Sequence, residues 1–227
     1  KKKEILNRPE DFLVFVKRLL PRWINGIPDS ECIAIFRALN SMNYQNETEK
    51  KTYIETGCGA STLALFLGAV MNNAHVYSWD TNGMKGSFLR NVILEAICYP
   101  LGINIFDYWT YVPNNSLDKF TGIPALGELR IKPQFAFLDS LHTVNHLKKE
   151  VIEFSKISTD TFVIGIDDGN HVNSKLFPYG YTNMLREKIG LKKIKNPEIN
   201  FSRSFFHEVN DILKKNFKST KRIKTFF

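Results

Sequence analysis

Apolar residues recur at helical spacing in two stretches near the beginning of the chain. The first stretch begins with Pro9 and two acidic residues, as helices often do, and it ends at Pro21. The second stretch follows Pro28 and again has apolar residues three and four positions apart. Because a polar segment, residues 40–51, then interrupts the pattern, we predict an N-terminal helical extension over residues 1–50.

From residue 51 onward, short runs of strand-forming residues alternate with longer helical patterns. The predicted strands cover residues 52–55, 75–79, 103–106, 134–138 and 161–166, and helices are predicted at residues 61–71, 86–97 and 144–155. Strands that consist of nearly continuous apolar runs are typical of a parallel sheet with helices on both faces. The pattern therefore predicts an α/β domain over residues 51–227. Beyond residue 175 it weakens to two helical stretches and a strand-like run at residues 221–227.

The composition is that of an ordinary folded protein, since 43% of the 227 residues are hydrophobic and 24% are charged. The longest apolar run, residues 63–71, is far shorter than the roughly 20 residues that span a bilayer. The first residues lack the pattern of a signal peptide. Three widely spaced cysteines favour a reducing compartment. We therefore expect a cytoplasmic protein without a membrane span.

The net charge of +8 is concentrated at the two ends of the sequence. Residues 1–3 are all lysine, and residues 214–227 contain six basic and no acidic residues. The body between these ends is nearly neutral, whereas a nucleic-acid-binding protein usually carries a basic stripe across its folded face. A nucleic acid is therefore an unlikely partner, and a solvated basic tail is the simpler interpretation.

Each predicted strand ends in an acidic residue or is followed directly by one. These residues are Glu55, Asp80, Asp107, Asp139 and Asp167. A single carboxylate at such a position often only caps a turn. Because ligands of open α/β sheets bind outside the carboxyl ends of the strands, five acids at those ends predict a functional site there.

The turn after the first predicted strand reads E-T-G-C-G-A-S-T, from Glu55 to Thr62. Gly57 and Gly59 allow the backbone to turn tightly and to approach a ligand, and Ser61 and Thr62 are placed to cap the next helix. The turn fits neither the G-x-G-x-x-G pattern of dinucleotide-binding proteins nor the phosphate-binding P-loop. Asp80 ends the second strand, where a carboxylate is able to accept hydrogen bonds from ribose hydroxyls.

This region resembles the cofactor-binding part of class I S-adenosylmethionine (SAM) methyltransferases over about residues 50–170. The resemblance implies a Rossmann-like, mostly parallel sheet of seven strands preceded by the helical extension. It also implies that the backbone of Gly57 and Gly59 passes the methionine part of SAM, that Asp80 holds the ribose and that Asp107 lies near the adenine. The implied cofactor-binding residues are thus Glu55, Gly57, Gly59, Ser61, Asp80 and Asp107.

A second group of candidate residues is formed by Asp139, His142, Asp167 and Asp168. Carboxylates from two strand ends converging on one pocket are typical ligands of Mg²⁺, and Ca²⁺ or Mn²⁺ are alternatives. The spacing resembles that of the catechol-type O-methyltransferases, and D-x-x-H resembles the methyltransferase-24 and cephalosporin-hydroxylase-like groups. This resemblance implies a metal held by Asp139, Asp167 and Asp168.

Four residues depart from these families. Asp168 stands where the catechol type has Asn, His142 stands where it has Lys, and Ser140 with Leu141 replaces the middle of the D-G-D-H pattern. A divalent metal that binds the acceptor oxygen lowers the pKa of that oxygen. A histidine, which titrates near neutrality, is able to take the proton. We therefore predict catalytic roles for Asp139 and His142.

Together these features predict a SAM-dependent methyltransferase that acts, with a divalent metal, on an oxygen of a small-molecule acceptor. A non-catalytic SAM-binding module is the first alternative, because Ser140 and Leu141 depart from the family pattern. A nucleic-acid methyltransferase is the second, although the chain lacks the N/D-P-P-Y/F/W motif of enzymes that methylate base amines. A homo-oligomer is a further alternative, because the apolar Phe226 and Phe227 could pack on a partner chain.

Overall fold

In the computed structural model, which describes residues 2–42, 50–141, 143–167, 180–192 and 205–216, five strands form one parallel sheet. The strands are β1 (Lys51–Thr56), β2 (Ala74–Trp79), β3 (Trp109–Val112), β4 (Phe135–Leu138) and β5 (Val163–Ile166). Their order in the sheet is β3-β2-β1-β4-β5, and every neighbouring pair is parallel. The predicted α/β fold with a parallel sheet is thus confirmed with five strands. Seven strands are not seen among the described residues, and the strand predicted at residues 221–227 lies outside them.

The strand order places a topological switch point between β1 and β4. After β1, the sheet grows through β2 to β3 on one side, and the chain then returns to add β4 and β5 on the other side. The loops after β1 and β4 therefore leave the sheet next to each other, in the position where open α/β sheets bind their ligands.

The helices cover both faces of the sheet, and those at residues 60–72, 83–93 and 144–157 overlap the predicted helices. They are α1 (Lys2–Asn7), α2 (Pro9–Arg18), α3 (Asp29–Ser41), α4 (Ala60–Asn72), α5 (Gly83–Ile93), α6 (Tyr99–Leu101), α7 (Ile123–Glu128), α8 (Val144–Ile157), α9 (Gly180–Lys188) and α10 (Phe205–Asn216). A π-helical turn, Leu94–Cys98, joins α5 to α6. No described helix is long and apolar enough to cross a bilayer.

The N-terminal extension packs on the same face of the sheet as α4. Its buried residues share one hydrophobic cluster with α4 and α5. The contact between α3 and α4 is close, because a Cβ added at Gly68 would lie 2.5 Å from Leu39 Cδ1. A second cluster on the opposite face contains buried residues of α7, α8 and α10.

The third strand begins later than the sequence pattern predicts. Residues 103–106 are not a strand, since Ile105–Asp107 form a 3₁₀ turn in which the Asn104 side chain accepts a hydrogen bond from the Phe106 N–H. Trp109 starts the strand because its ring is buried and its indole N–H donates to Ser78 Oγ at 2.9 Å. Phe106, by contrast, is 69% exposed.

Candidate functional site

The loops that follow β1, β2, β4 and β5 meet at the carboxyl-end edge of the sheet. The backbone N–H of Gly57, after β1, donates to the carbonyl of Trp79 in β2 at 2.8 Å. The N–H of Asp139, after β4, donates to the Thr56 carbonyl at 2.8 Å. These bonds continue the sheet pairing beyond the strands and fix the loops relative to one another.

Gly57 occupies a position that only glycine fits. Its φ is +83°, in the left-handed region, and a Cβ there would lie 1.8 Å from the carbonyl oxygen of Asp139. The turn after β1 is therefore in direct backbone contact with the loop after β4. This contact joins the two groups of residues that the sequence singles out.

Glu55 lies beneath this turn rather than on its surface. The side chain is fully buried, and its carboxylate accepts hydrogen bonds from Ser61 Oγ at 2.6 Å, Thr62 Oγ1 at 2.8 Å and Ser78 Oγ at 2.7 Å. Burial raises the pKa of Glu55 to about 7, although the three hydroxyl donors oppose this shift. Glu55 thus ties the end of β1 to the first turn of α4 and to β2.

Ser61 and Gly59 also have structural tasks at the start of α4. Ser61 is buried and donates to Glu55, so its hydroxyl does not cap the helix as the sequence suggests. The Gly59 N–H donates instead to Thr62 Oγ1 at 3.1 Å. A Cβ on Gly59 would lie 3.1 Å from the Ile24 carbonyl oxygen, so the N-terminal extension borders the turn.

Asp80 lies where the sequence predicts, at the end of β2 beside the glycine turn. Its Oδ2 accepts hydrogen bonds from the Cys58 N–H at 3.0 Å and from Lys85 Nζ at 2.9 Å, and its Oδ1 accepts one from the Asn82 N–H at 2.8 Å. The side chain is 9% exposed. The carboxylate is therefore held in place by two loops and by one cation.

Asp107 does not lie at this edge of the sheet, and the predicted strand that would have placed it there is wrong. It ends the 3₁₀ turn that precedes β3, near the amino ends of the strands. Its carbonyl oxygen contacts the side chains of Lys50 and, at 3.0 Å, His75, and both of these residues are also at strand starts. The loop that follows β3 at the carboxyl-end edge contains Asn114 instead.

Asp139 and Asp167 are brought together with residues that the sequence analysis did not select. Both line a pocket beyond the ends of β4 and β5, whose other lining residues are Leu138, Ser140, Leu141, Leu147, Glu150 and Ile166. The predicted proton acceptor His142 and the predicted metal ligand Asp168 lie outside the described residues. Among the residues that are described, no group of three His, Cys, Asp or Glu side chains is arranged to hold a metal ion. The predicted metal site therefore has no support in this part of the chain.

Glu150 is the principal residue of the site that sequence reasoning missed. It is 1% exposed on α8, and its Oε1 accepts hydrogen bonds from Ser116 Oγ at 2.6 Å and Ser140 Oγ at 2.7 Å. His146 Nε2 lies 3.2 Å from the same oxygen. A signal was present, because Glu150 interrupts the apolar stripe of Leu147, Val151 and Phe154, where a buried charge requires partners.

Comparisons with known proteins give similar structures but no similar sequences: no protein-family model and no curated protein matches the chain. The METTL16 MTase domain is 15% identical over 83% of this chain and 74% of its own, with a TM-score of 0.41. The SAH-bound Podospora anserina methyltransferase PaMTH1 is 13% identical over 95% of this chain and 87% of its own, with a TM-score of 0.40. The human methyltransferase 10 domain containing protein is 16% identical over 67% of this chain and 72% of its own, with a TM-score of 0.38. All three TM-scores are below 0.5, so the function has to be argued from this chain's own residues.

Proposed function

We propose that this chain is a SAM-dependent methyltransferase that methylates an oxygen atom of a small molecule. The observation that carries the proposal is the junction of the glycine turn with Asp80 at the switch point. There the Cys58 N–H holds the carboxylate 3.0 Å from the backbone of the turn. An acidic side chain at the end of β2, beside a turn after β1 that has glycine at positions 57 and 59, suits a nucleoside with an attached amino-acid chain.

The residues around the turn fit this cofactor. The Asp80 carboxylate is placed to accept hydrogen bonds from ribose hydroxyls, with Lys85 balancing its charge. At the end of β1, the buried Thr56 hydroxyl has no hydrogen-bond partner among the described residues, and a bound water or ligand commonly satisfies such a group. Bound SAM supplies an electrophilic methyl group on a sulfonium that already contains its leaving group.

The acceptor side of the proposal rests on the pocket beyond β4 and β5. Asp139 connects the two sides, because its backbone touches Gly57 while the residue also lines the pocket. The lining combines aliphatic side chains with Ser140 and three carboxylates, which favours a small polar molecule. In this arrangement the chain's residues orient the acceptor and remove its proton, which are the main requirements of an in-line displacement.

The metal-assisted form of the reaction stays a prediction based on the three aspartates. Asp139 and Asp167 line the pocket, and Asp168 follows directly in sequence. A divalent ion there would lower the pKa of an acceptor oxygen. Transfer assays with Mg²⁺ and with a chelator test this form separately from cofactor binding.

Calorimetric titration with S-adenosylhomocysteine (SAH) tests the proposed cofactor. We expect micromolar binding by the parent chain. Asp80→Ala should weaken it at least about tenfold, since a hydrogen bond to a charged group is worth about 1.5–3 kcal/mol. Asp107→Ala is the matched control, because the structure places this aspartate near the amino ends of the strands, and it should bind SAH like the parent.

Three outcomes would count against this proposal. Failure of the parent to bind SAH would overturn it entirely. Equal weakening by both substitutions would show that Asp80 has no special place in the cofactor site. Binding without transfer to any acceptor would favour a non-catalytic SAM-binding module.

A further inference from the structure

A second buried carboxyl group, that of Glu150, lies at the carboxyl-end edge on the sheet face opposite Glu55. Glu55 contacts α4, whereas Glu150 projects from α8 and contacts the loops after β3 and β4 through Ser116 and Ser140. Like Glu55, it accepts hydrogen bonds from several donors. Unlike Glu55, it also lines a pocket.

The two carboxylate oxygens of Glu150 have different surroundings. Ser116, Ser140 and His146 all contact Oε1. No described residue donates a hydrogen bond to Oε2. The side chain is thus fixed through one oxygen, and the other is available to a molecule in the pocket.

His146 connects this carboxylate to the exterior. Its Nε2 lies 3.2 Å from Glu150 Oε1 and 3.4 Å from Ser116 Oγ. The His146 side chain is 14% exposed, whereas that of Glu150 is 1% exposed. A proton that reaches Glu150 therefore has a titratable neighbour through which it can leave.

We propose that Glu150 binds the hydroxyl group of the methyl acceptor and takes its proton, and that His146 releases this proton to solvent. This inference rests on the proposed methyltransferase function and names its acceptor class, a small alcohol or phenol. The acceptor O–H bond breaks and its proton passes to Glu150. The acceptor oxygen bonds to the methyl carbon while the carbon–sulfur bond of SAM breaks, and that electron pair stays on sulfur to give SAH.

The other charged groups of the pocket are consistent with this assignment. Asp139 and Asp167 also line it, so the pocket repels anionic acceptors and admits neutral hydroxyl compounds. Amines would also be attracted as ammonium ions. An ammonium group must lose a proton before it has a lone pair with which to attack. The test therefore includes an amine, benzylamine, as a competing class of acceptor.

Two acceptors that differ in acidity distinguish a role of Glu150 in proton removal from a purely structural role. Phenol is protonated in mildly alkaline buffer, whereas 4-nitrophenol is largely ionised and needs no base. Glu150→Gln keeps the shape of the side chain and an oxygen for Ser116 and Ser140 but cannot take the proton. We expect it to lower transfer to phenol about 100-fold or more, the usual contribution of a general base. Transfer to 4-nitrophenol should stay at or rise above the parent rate, because this anion needs no base and the neutral glutamine repels it less.

Glu153→Gln on the same helix is the matched control. Glu153 pairs with Lys156 on the surface and should give parent rates with both acceptors. SAH titration of each variant verifies that it is folded and binds the cofactor. If Glu150→Gln does not bind SAH, His146→Gln replaces it, and its loss should again be confined to phenol.

If Glu150→Gln lowered the rates of transfer to phenol and to 4-nitrophenol equally, the proposal would be overturned, because Glu150 would then have a purely structural role. Transfer by the parent to benzylamine alone, or to none of these probes, would also overturn it. A parent chain that fails to bind SAH would refute the methyltransferase function itself and this inference with it.

Discussion

A carboxyl group buried as deeply as that of Glu55 is costly to ionise, and the three hydroxyls around it offset only part of that cost. Its pKa of about 7 lies well above the ordinary value of 4.5, so the folded chain holds the Glu55 proton more tightly than the unfolded chain does. The free energy of unfolding should therefore depend on pH between these two values.

We predict that Glu55 lowers the stability of the chain as the pH rises from 4.5 to about 7. Over this interval the unfolded chain releases the proton first, so ionisation favours unfolding by up to about 3 kcal/mol. Glu55→Gln should remove this fall in stability. Urea unfolding of parent and variant across the pH interval measures the difference, and Glu128→Gln, at an exposed position, should keep the parent's pH dependence. The same pH dependence in parent and Glu55→Gln would contradict the prediction.

At the scale of single residues, local spacing predicted one half of the site well. Glu55, Gly57 and Asp80 lie within 26 residues of one another, and their positions at strand ends follow from the sequence pattern. Glu150 and Ser116 could not be paired in this way, because they are 34 positions apart and meet only when α8 packs under the loop after β3. Contacts between distant segments leave no spacing pattern in a single sequence.

At the scale of helices and strands, the two long helices of the N-terminal extension are joined by three ion pairs of unequal burial, one of them between the exposed Arg18 and Asp29 at 2.8 Å. Lys17 on α2 donates to Asp29 on α3 at 3.0 Å, and the lysine side chain is only 4% exposed. Arg37 on α3 pairs with Glu10 on α2, but the arginine is 67% exposed. Both acids are in the first turn of their helices, so the Lys17 and Arg37 pairs differ chiefly in the burial of the cation.

We predict that Asp29→Ala destabilises the chain by about 2 kcal/mol, because it leaves the buried Lys17 ammonium without its carboxylate. Glu10→Ala should cost less than about 1 kcal/mol, as is usual for an exposed pair. Denaturant unfolding measures both values. Adding Lys17→Met to Asp29→Ala should recover part of the loss, and equal costs for the two single substitutions would contradict this account.

The prediction for β3 was wrong because two apolar runs compete near residue 105. Residues 103–106 satisfy a strand pattern, but Asn104 stabilises a turn there. The buried Trp109 and the partly buried Tyr111 supply the ladder with β2 instead. Which apolar run becomes the edge strand depends on which one pairs with the neighbouring strand. Local sequence patterns do not determine that pairing. Because of this error, Asp107 was expected at the carboxyl ends of the strands, whereas it lies near their amino ends.

At the scale of the whole molecule, the three cysteines are all free and buried. Burial raises the pKa of Cys32 to about 12 and that of Cys98 to about 11, and it holds the pKa of Cys58 well above its ordinary value. Since the thiolate is the reactive form, the folded chain should protect all three.

We therefore predict that Ellman's reagent modifies no thiol rapidly in the native chain at neutral pH and three in denaturant. Mass spectrometry of partially modified samples identifies which cysteine reacts first. A thiol that reacts at once in the native chain would contradict the prediction for its segment. Rapid reaction at Cys58 in particular would show that the glycine turn opens in solution.

The two hydrophobic clusters on opposite faces of the sheet support different parts of the site. The glycine turn and Glu55 lie over the cluster that contains the N-terminal extension, α4 and α5, whereas Glu150 belongs to the face covered by α7, α8 and α10. Substitutions on separate faces with no shared partners usually have additive effects on stability. Changes in α8, which contributes Leu147 and Glu150 to the pocket, therefore alter that pocket without disturbing the packing under the glycine turn. Under the function proposed above, descendants of this chain could diverge in the acceptor that they modify while they inherit the same donor site.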